Sequence, residues 1–207
     1  MTGKSHWDRV YETRDEATLS WYADQPQPAL ALALEFGHRD RPLIDIGGGA
    51  SRLVDALLDA GFGDLTVLDL SAQALARARA RLGDRAARVR WITADITDWQ
   101  PARAHALWND RAVFHFLTAP GDRAAYVAAL AAGLAPGGHA IIATFADDGP
   151  ERCSGLPVAR YAPGELAAEM ARLAPGLLAP VRALRHDHET PGGAVQRFQT
   201  SVFRRIG

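Results

Sequence analysis

The sequence predicts an α/β fold with a doubly wound, mostly parallel sheet that ends in an antiparallel hairpin. A glycine triplet, Gly47–Gly49, lies between an apolar run and an amphipathic helical stretch, which is the strand–loop–helix opening of a βαβ unit. Apolar runs and helical stretches then alternate, as in a parallel sheet covered by helices on both faces. Two further strand patterns flank a turn at 190–193.

The boundaries of the predicted helices carry start or stop signals. Gly37, Gly61 and Gly83 each follow a helical stretch, where glycine commonly ends a helix. Ser71 and Asp122 each precede one, as N-cap residues do. The predicted helices are 28–36, 51–58, 72–82 and 123–134. The predicted strands are 43–46, 65–70, 89–92, 104–108, 139–145, 181–189 and 195–203.

Length and composition favour one globular domain. A chain of 207 residues with 48% hydrophobic residues can bury roughly 70% of its unfolded surface. The sequence shows no apolar run of the roughly 20 residues that cross a membrane and no apolar secretory segment, so we expect a cytoplasmic protein with no membrane partner. A net charge of −1 with scattered arginines argues against a nucleic-acid partner. The single cysteine, Cys153, excludes an internal disulfide and a cysteine-cluster metal site.

The residues around the glycine loop discriminate between ligands. The dinucleotide pattern G-x-G-x-x-G requires a third glycine where this chain has Arg52. Asp45, just before the loop, would repel a pyrophosphate and attract a ligand that carries an ammonium and a sulfonium. These features favour S-adenosylmethionine. A nicotinamide-dependent oxidoreductase and a non-catalytic binding module of the same fold are the alternatives.

Three stretches resemble the class I, seven-stranded S-adenosylmethionine-dependent methyltransferases. Asp45–Ser51 reads D-x-G-x-G-x-S, which resembles motif I of that family, and Leu134–Gly138 resembles its turn before strand five. The W-D-x-x-Y pattern at Trp7–Tyr11 is similar to N-terminal lids of the thiopurine and protein-lysine methyltransferase groups. We therefore expect one methyltransferase domain over 1–207, with 1–27 as an aromatic lid segment.

Acidic residues after successive strands are candidates for holding the cofactor. Asp69 follows Asp45 at close to the roughly 20-residue spacing at which an acid binds a ribose diol. Asp95 can accept from the adenine amino group while Ile96 packs on the ring. The predicted cofactor is S-adenosylmethionine, with S-adenosylhomocysteine as product and no metal. The predicted cofactor-binding residues are Asp45, Gly47, Gly48, Gly49, Ser51, Asp69, Leu70, Asp95, Ile96 and Asn109.

The stretch after the fourth strand is predicted to hold the catalytic residues Asp110, Arg111 and His115. Its W-x-D-R-A pattern resembles the thiopurine methyltransferases, with Asn109 as an extra residue, and a similar acid-plus-base pattern occurs in lysine methyltransferases. The D/N-P-P-Y signature of enzymes that methylate planar amino nitrogens is absent. The structural alternatives are a surface ion pair for Asp110 and Arg111, and a core histidine for His115.

The predicted acceptor is a small molecule with a soft nucleophile such as a thiol, and the alternative is a protein lysine guided by Asp110. The long irregular segment 148–161 is a candidate substrate loop, reminiscent of the G-P-P loop of thiol and halide methyltransferases. His186 and His188 alternate onto one strand face, but two imidazoles without a third ligand do not predict a metal site. The predicted substrate-binding residues are Trp7, Tyr11, Trp21, Cys153, Arg160 and Tyr161.

Overall fold

The computed structural model describes residues 3–207. The helices are α1 (Lys4–Thr13), α2 (Ala29–Phe36), α3 (Leu53–Asp59), α4 (Ala72–Leu82), α5 (Pro120–Gly133) and α6 (Pro163–Leu173). The strands are β1 (Leu43–Ile46), β2 (Leu65–Asp69), β3 (Val89–Thr93), β4 (His105–Arg111), β5 (Leu134–Phe145), β6 (Arg152–Cys153), β7 (Leu156–Pro157), β8 (Leu178–Glu189) and β9 (Val195–Arg205). Within residues 3–207, each helix is too short or too polar to span a bilayer.

Seven strands form one sheet in the order β3-β2-β1-β4-β5-β9-β8. The first five strands in this order run parallel, and β9 enters antiparallel between β5 and β8. The predicted α/β class and the C-terminal antiparallel hairpin are therefore confirmed. The strand order changes direction between β1 and β4, and ligands of open α/β sheets bind at the carboxyl ends of strands beside such a reversal.

Helices cover both faces of the sheet because the central strands are apolar on both sides. On β1, Ile44 and Ile46 point into a core that includes Trp108 and Tyr126 and is closed by α5 and α6. Leu43 points to the opposite face, where it packs with apolar residues of α2, α3 and α4. A strand buried on both faces reads as a continuous apolar run. Asp45 interrupts that run near the carboxyl end of β1.

Three of the differences from the predicted boundaries concern β4, α5 and β5. Strand β4 continues to Arg111, so Asp110 and Arg111 belong to the strand and do not follow it. Helix α5 begins at Pro120, whose fixed φ suits the first helical position, so Asp122 lies in the first turn and does not cap the helix. Strand β5 begins at Leu134, with its pairing to β4 irregular before Leu107.

Candidate active site

One cavity lies at the carboxyl ends of β1 to β4, and the N-terminal segment forms part of its wall. The predicted cofactor-binding residues that line it are Gly47, Gly48, Ser51, Asp69, Leu70, Asp95 and Ile96. The predicted acceptor-site and catalytic residues that line it are Trp7, Tyr11, Trp21, Arg111 and Cys153. The structure thus brings together residues from both predicted groups in one continuous space.

The glycine loop has a backbone that other residues would not fit. Gly47 has φ +66°, and a Cβ there would lie 2.1 Å from Val113 Cγ2. A Cβ on Gly48 would lie 2.6 Å from Asp45 Oδ2. The amides of Gly47 and Gly48 both donate to the Leu68 carbonyl, at 2.7 and 3.3 Å. The loop is therefore tied to β2, and it needs glycine because neighbouring side chains already occupy the positions that a Cβ would take.

Asp45 and Asn109 lie beneath the loop and do not line the cavity. They are opposite each other on β1 and β4, and Asn109 Nδ2 donates to Asp45 Oδ1 at 2.6 Å. Asp45 is 3% exposed, and this burial raises its pKa to about 6, although the Asn109 hydrogen bond opposes the shift. The pair supports the loop from below, and direct contact of either residue with a cofactor stays a prediction.

Asp69 lines the cavity at the carboxyl end of β2. Its Oδ1 accepts from the Ser71 amide at 2.7 Å. Burial, together with the nearby carboxylates of Asp45 and Asp8, raises the pKa of Asp69 to about 7, although the amides of Ser71 and Gly49 favour the charged form. Gly49 itself is not part of the lining, but a Cβ built on it would be 2.9 Å from Asp69 Oδ2. Asp69 therefore presents a carboxylate oxygen beside the glycine loop.

Asp95 and Ile96 form the next part of the wall, after β3. Asp95 Oδ1 accepts from the Thr97 amide at 2.9 Å and from the Thr97 hydroxyl at 2.7 Å. This Asx turn fixes the carboxylate and leaves its second oxygen available for a ligand. Ile96 is 4% exposed and lines the same part of the cavity with an apolar side chain. An acceptor oxygen beside an apolar surface suits a flat heterocycle with an amino group.

Arg111, the last residue of β4, provides positive charge in the cavity wall, on the opposite side of the glycine loop from Asp69. Its Nη1 donates to the Trp21 carbonyl at 2.8 Å. Among residues 3–207, no carboxylate oxygen lies within 4.0 Å of its guanidinium. Burial lowers the pKa of Arg111, although more distant Asp45 and Tyr11 oppose the shift. Arg111 is half-buried, and a partly desolvated cation without a close anion favours an anionic ligand at this end of the cavity.

Aromatic side chains surround the space next to Arg111. Trp7 lies edge-to-face with Trp21 and with Phe116, with ring centroids 5.7 and 5.2 Å apart. Phe116 was not among the predicted site residues, although it lies in the segment after the fourth strand that was predicted to hold the catalytic residues. Ala112, also missed, lines the cavity with φ +71°, a conformation that sequence alone does not reveal in a non-glycine residue.

Two residues predicted to be catalytic do not reach the cavity. Asp110 is completely buried and accepts from the amides of Val113 and Phe114 at 2.7 and 3.1 Å, so it fixes the turn after β4. Burial raises its pKa to about 7. His115 is also completely buried; its Nδ1 accepts from the Phe145 amide at 3.3 Å, and burial lowers its pKa to about 3. Their placement supports the structural alternative for His115 and a turn-fixing role for Asp110.

The loop after β5 contributes one of its three predicted residues to the cavity. Cys153 is 6% exposed and lines the wall, but burial raises its thiol pKa to about 12, so it stays protonated. Arg160 instead donates to the Gly149 carbonyl at 2.9 Å. Tyr161 packs against Phe114, with ring centroids 5.8 Å apart. The structure therefore does not bring Arg160 or Tyr161 to the cavity.

The histidines of β8 contact neighbouring parts of the protein. His186 stacks on Phe198 with ring centroids 5.5 Å apart, and His188 Nε2 lies 2.8 Å from the Ser20 carbonyl. Because a carbonyl only accepts, His188 must carry a proton on Nε2. Over residues 3–207, no group of three or more histidine, cysteine, aspartate or glutamate side chains is arranged to hold a metal ion.

Comparison with known proteins finds methyltransferases. Residues 43–138 match a family model described as a methyltransferase domain. The malonyl-[acyl-carrier protein] O-methyltransferase of Anoxybacillus flavithermus is 32% identical over 124 residues, which cover 59% of this chain and 46% of that protein. The chain thus spans about half the length of the curated relative that it matches.

Solved structures extend the comparison to nearly the whole chain. The 1,6-didemethyltoxoflavin-N1-methyltransferase of Burkholderia thailandensis, with 1,6-didemethyltoxoflavin and S-adenosylhomocysteine bound, has a TM-score of 0.75 at 23% identity, covering 99% of this chain and 87% of that one. A structure from work on the conversion of a disulfide bond into a thioacetal group during echinomycin biosynthesis has a TM-score of 0.77 at 21% identity, covering 98% and 93%. Residues 43–138 are therefore similar to a methyltransferase domain, and the chain has the fold of the class I S-adenosylmethionine-dependent methyltransferases, as its motifs predicted.

Proposed function

We propose that this protein transfers a methyl group from S-adenosylmethionine to a small-molecule acceptor. The observation that carries the proposal is that one cavity has two chemically different ends. One end has the glycine loop and the carboxylates of Asp69 and Asp95, and the other has aromatic rings and Arg111. The first end suits a cationic nucleoside, and the second suits an acceptor with an apolar body and negative charge.

The residues at the first end fit S-adenosylmethionine. Gly47 and Gly48 line the cavity with backbone alone, so no side chain of theirs keeps a ligand away from the loop. Asp69 would accept from the two ribose hydroxyls, and Asp95 from the adenine amino group beside Ile96. When bound, this cofactor supplies a methyl group on a sulfonium, whose displacement leaves a neutral thioether. The protein then has to align the acceptor and exclude water.

We propose a thiol, or a similar soft nucleophile, as the acceptor. Apart from Asp69 and Asp95, the ionisable side chains that line the cavity are Arg111, Cys153 and Tyr11, and burial raises the pKa of both Cys153 and Tyr11 far above neutrality. Neither is suited to remove a proton at pH 7. The nucleophile should therefore arrive ionised, and the Arg111 charge favours a thiolate. The names of the similar proteins, an O-methyltransferase and an N-methyltransferase, do not choose between nucleophiles.

The alternative of a protein lysine has lost its main support. That hypothesis needed Asp110 to hold the lysine ammonium, but the Asp110 carboxylate is buried against the amides of Val113 and Phe114. Arg111, which does line the cavity, would repel an ammonium. A nicotinamide-dependent oxidoreductase also gains no support, because Arg52 stands at the third glycine position of the dinucleotide pattern. Arg52 Nε lies 3.6 Å from Glu16 Oε1, so this side chain forms an ion pair within the protein.

A methyl-transfer assay tests the proposal with a panel of aromatic and aliphatic thiols from about pH 6.5 to 9, a range that spans the usual thiol pKa. Arg111→Gln removes the charge but keeps a donor for the Trp21 carbonyl, and Arg111→Lys keeps the charge. We expect the Arg111→Gln substitution to slow thiol methylation more than the Arg111→Lys substitution does. The defect should shrink as the pH approaches about 8.5, where a free thiol ionises unaided.

Affinity for S-adenosylhomocysteine should stay nearly constant in both variants, because Arg111 lies at the acceptor end. A Gln defect that is independent of pH would contradict the thiolate argument. Methylation of proteins in a cell extract, without any thiol product, would favour the lysine alternative.

A further inference from the structure

Helix α1 contacts the cofactor end of the cavity as well as the acceptor end. Tyr11, which the sequence placed at the acceptor site, is 7% exposed and lines the cavity. A Cβ built on Gly49 would lie 3.0 Å from Tyr11 Oη and 2.9 Å from Asp69 Oδ2. The hydroxyl of Tyr11 and the carboxylate of Asp69 therefore flank the same glycine of the loop.

The Tyr11 hydroxyl has a proton to offer a ligand. Its side-chain hydrogen-bond partner is Trp21, and an indole N–H can only donate, so the Tyr11 oxygen is the acceptor of that bond. Burial and the nearby Asp69 charge raise the pKa of Tyr11 well above its usual range, so the phenol keeps its proton. An acidic and a phenolic group side by side can bind a polyhydroxylated ligand, since one accepts while the other donates or accepts.

Asp8 lies on the same face of α1 as Tyr11. It binds Ser71, and Ser71 in turn binds Asp69. The Ser71 hydroxyl donates to Asp8 Oδ1 at 2.6 Å and accepts from the Ala74 amide at 3.2 Å, where it caps α4. The Ser71 amide donates to Asp69 Oδ1 at 2.7 Å. Ser71 is completely buried. One serine therefore joins α1, the N-terminus of α4 and the candidate ribose-binding carboxylate.

The position of α1 depends on such ties because the helix is marginal by itself. It has ten residues, and its N-cap is Gly3, which has no side chain to cap the helix. Isolated helices shorter than about 12–15 residues are seldom stable in water. Its aromatic face packs against the rest of the protein. Directly after the helix, Arg77 Nη1 donates a hydrogen bond to the Arg14 carbonyl at 2.8 Å.

We propose that Tyr11 is a cofactor-binding residue, whose hydroxyl acts beside Asp69 at the ribose of the cofactor, and that Asp8 is the residue that positions it through Ser71. The proposal rests on the proposed function, because it takes S-adenosylmethionine as the cofactor. It assigns Tyr11 to the cofactor end, and Trp7 and Trp21 remain at the acceptor end.

Calorimetric titration with S-adenosylhomocysteine tests the proposal without an acceptor. Tyr11→Phe removes only the hydroxyl, and we expect it to raise the Kd about 3- to 10-fold, the usual effect of one hydrogen bond. Asp8→Ala should raise the Kd by a similar factor. Asp8→Asn should stay within about 2-fold of wild type, because an amide oxygen still accepts from the Ser71 hydroxyl. Glu12→Ala, an exposed change on the same helix, serves as the control.

A double mutant distinguishes positioning from general destabilisation. If Asp8 acts through Tyr11, Asp8→Ala should add less than about 2-fold to the Kd of Tyr11→Phe, since coupled residues are not additive. Amide exchange over α1 should accelerate in Asp8→Ala and not in Tyr11→Phe. Circular dichroism confirms that each variant is folded, and Asp8→Asn gives a second test if Asp8→Ala is not.

Wild-type affinity in Tyr11→Phe, or fully additive effects of Tyr11→Phe and Asp8→Ala, would overturn the proposal while leaving the proposed function in place. Absence of S-adenosylhomocysteine binding to the wild-type protein would overturn both.

Discussion

Three buried carboxylates near strand ends have different tasks, although their sequence contexts are similar. Asp45, Asp69 and Asp110 each have a pKa raised by burial. Only Asp69 lines the cavity, because Asn109 binds Asp45 and the turn amides bind Asp110. The sequence predicted the acids and their strand ends. It did not predict which carboxylate faces the ligand, since that depends on partners that are distant in the chain or follow a turn of unforeseen shape.

Asp69 gives a prediction with a pH dependence. Asp69→Ala should weaken S-adenosylmethionine and S-adenosylhomocysteine alike by about 1.5–3 kcal/mol, because both share the ribose. The pKa of Asp69 is about 7 in the free protein, so its carboxylate is ionised above that pH and protonated below it. A protonated carboxyl accepts fewer hydrogen bonds, and affinity should therefore fall as the pH is lowered from 8 to 6.

Calorimetry across that pH range measures the effect. Asp69→Asn should bind more weakly at pH 8 and lose most of the pH dependence between 8 and 6.5. Any titration of the ligand itself is common to both proteins and cancels in the comparison. Equal pH profiles for wild type and Asp69→Asn would remove Asp69 from the cofactor site.

Gly47 gives a prediction about stability. A Cβ there would meet Val113 Cγ2 at 2.1 Å, and φ +66° is unfavourable for other residues by about 1–2 kcal/mol. Gly47→Ala should therefore lower the free energy of unfolding by more than the backbone strain alone. In a Val113→Ala background the same change should cost less, because the clash is relieved and only the strain remains.

Urea denaturation of the four proteins in this cycle separates the two effects. If Gly47→Ala costs the same with and without Val113, the contact with Val113 is not the cause.

At the scale of elements, the segment after α1 is fixed at two consecutive carbonyls. His188 of β8 binds the Ser20 carbonyl and Arg111 of β4 binds the Trp21 carbonyl, each at 2.8 Å. Trp21 was predicted to be a site residue, but these two hydrogen bonds were not predicted. An irregular segment has no periodicity, and the partners of its carbonyls are far away in the chain. The predicted helices and strands, which do have periodicity, were found with shifts of only a few residues at their ends.

His188→Ala should release one of these ties. We expect faster amide exchange over 19–22, because a carbonyl loses its donor, while exchange in the core of the sheet stays unchanged. His188→Gln, which supplies a donor, should restore part of the protection. Asp187→Ala, an exposed change on the opposite face of the same strand, is the matched control. Equal exchange in His188→Ala and wild type would show that packing of Trp21 alone holds the segment.

At the scale of the whole molecule, the strand order places opposite charges at the two ends of one cavity. The reversal between β1 and β4 puts Asp69, from β2, on one side of the glycine loop and Arg111, from β4, on the other. Alternating helices and strands predicted the fold class, and two strand patterns around the turn at 190–193 predicted the hairpin. The order of strands, and the entry of β9 between β5 and β8, depends on which faces pack together, which local patterns do not reveal.

The proposed methyltransferase activity requires that this cavity bind S-adenosylmethionine and not a nicotinamide dinucleotide. Calorimetric titration of the purified protein with S-adenosylmethionine, S-adenosylhomocysteine and NAD compares the candidates under one set of conditions. We predict that the first two bind with one site per chain, that both are weakened by Asp69→Ala, and that NAD gives no heat of binding. Binding of NAD in preference to the other two, or no binding of S-adenosylmethionine and S-adenosylhomocysteine, would contradict the account.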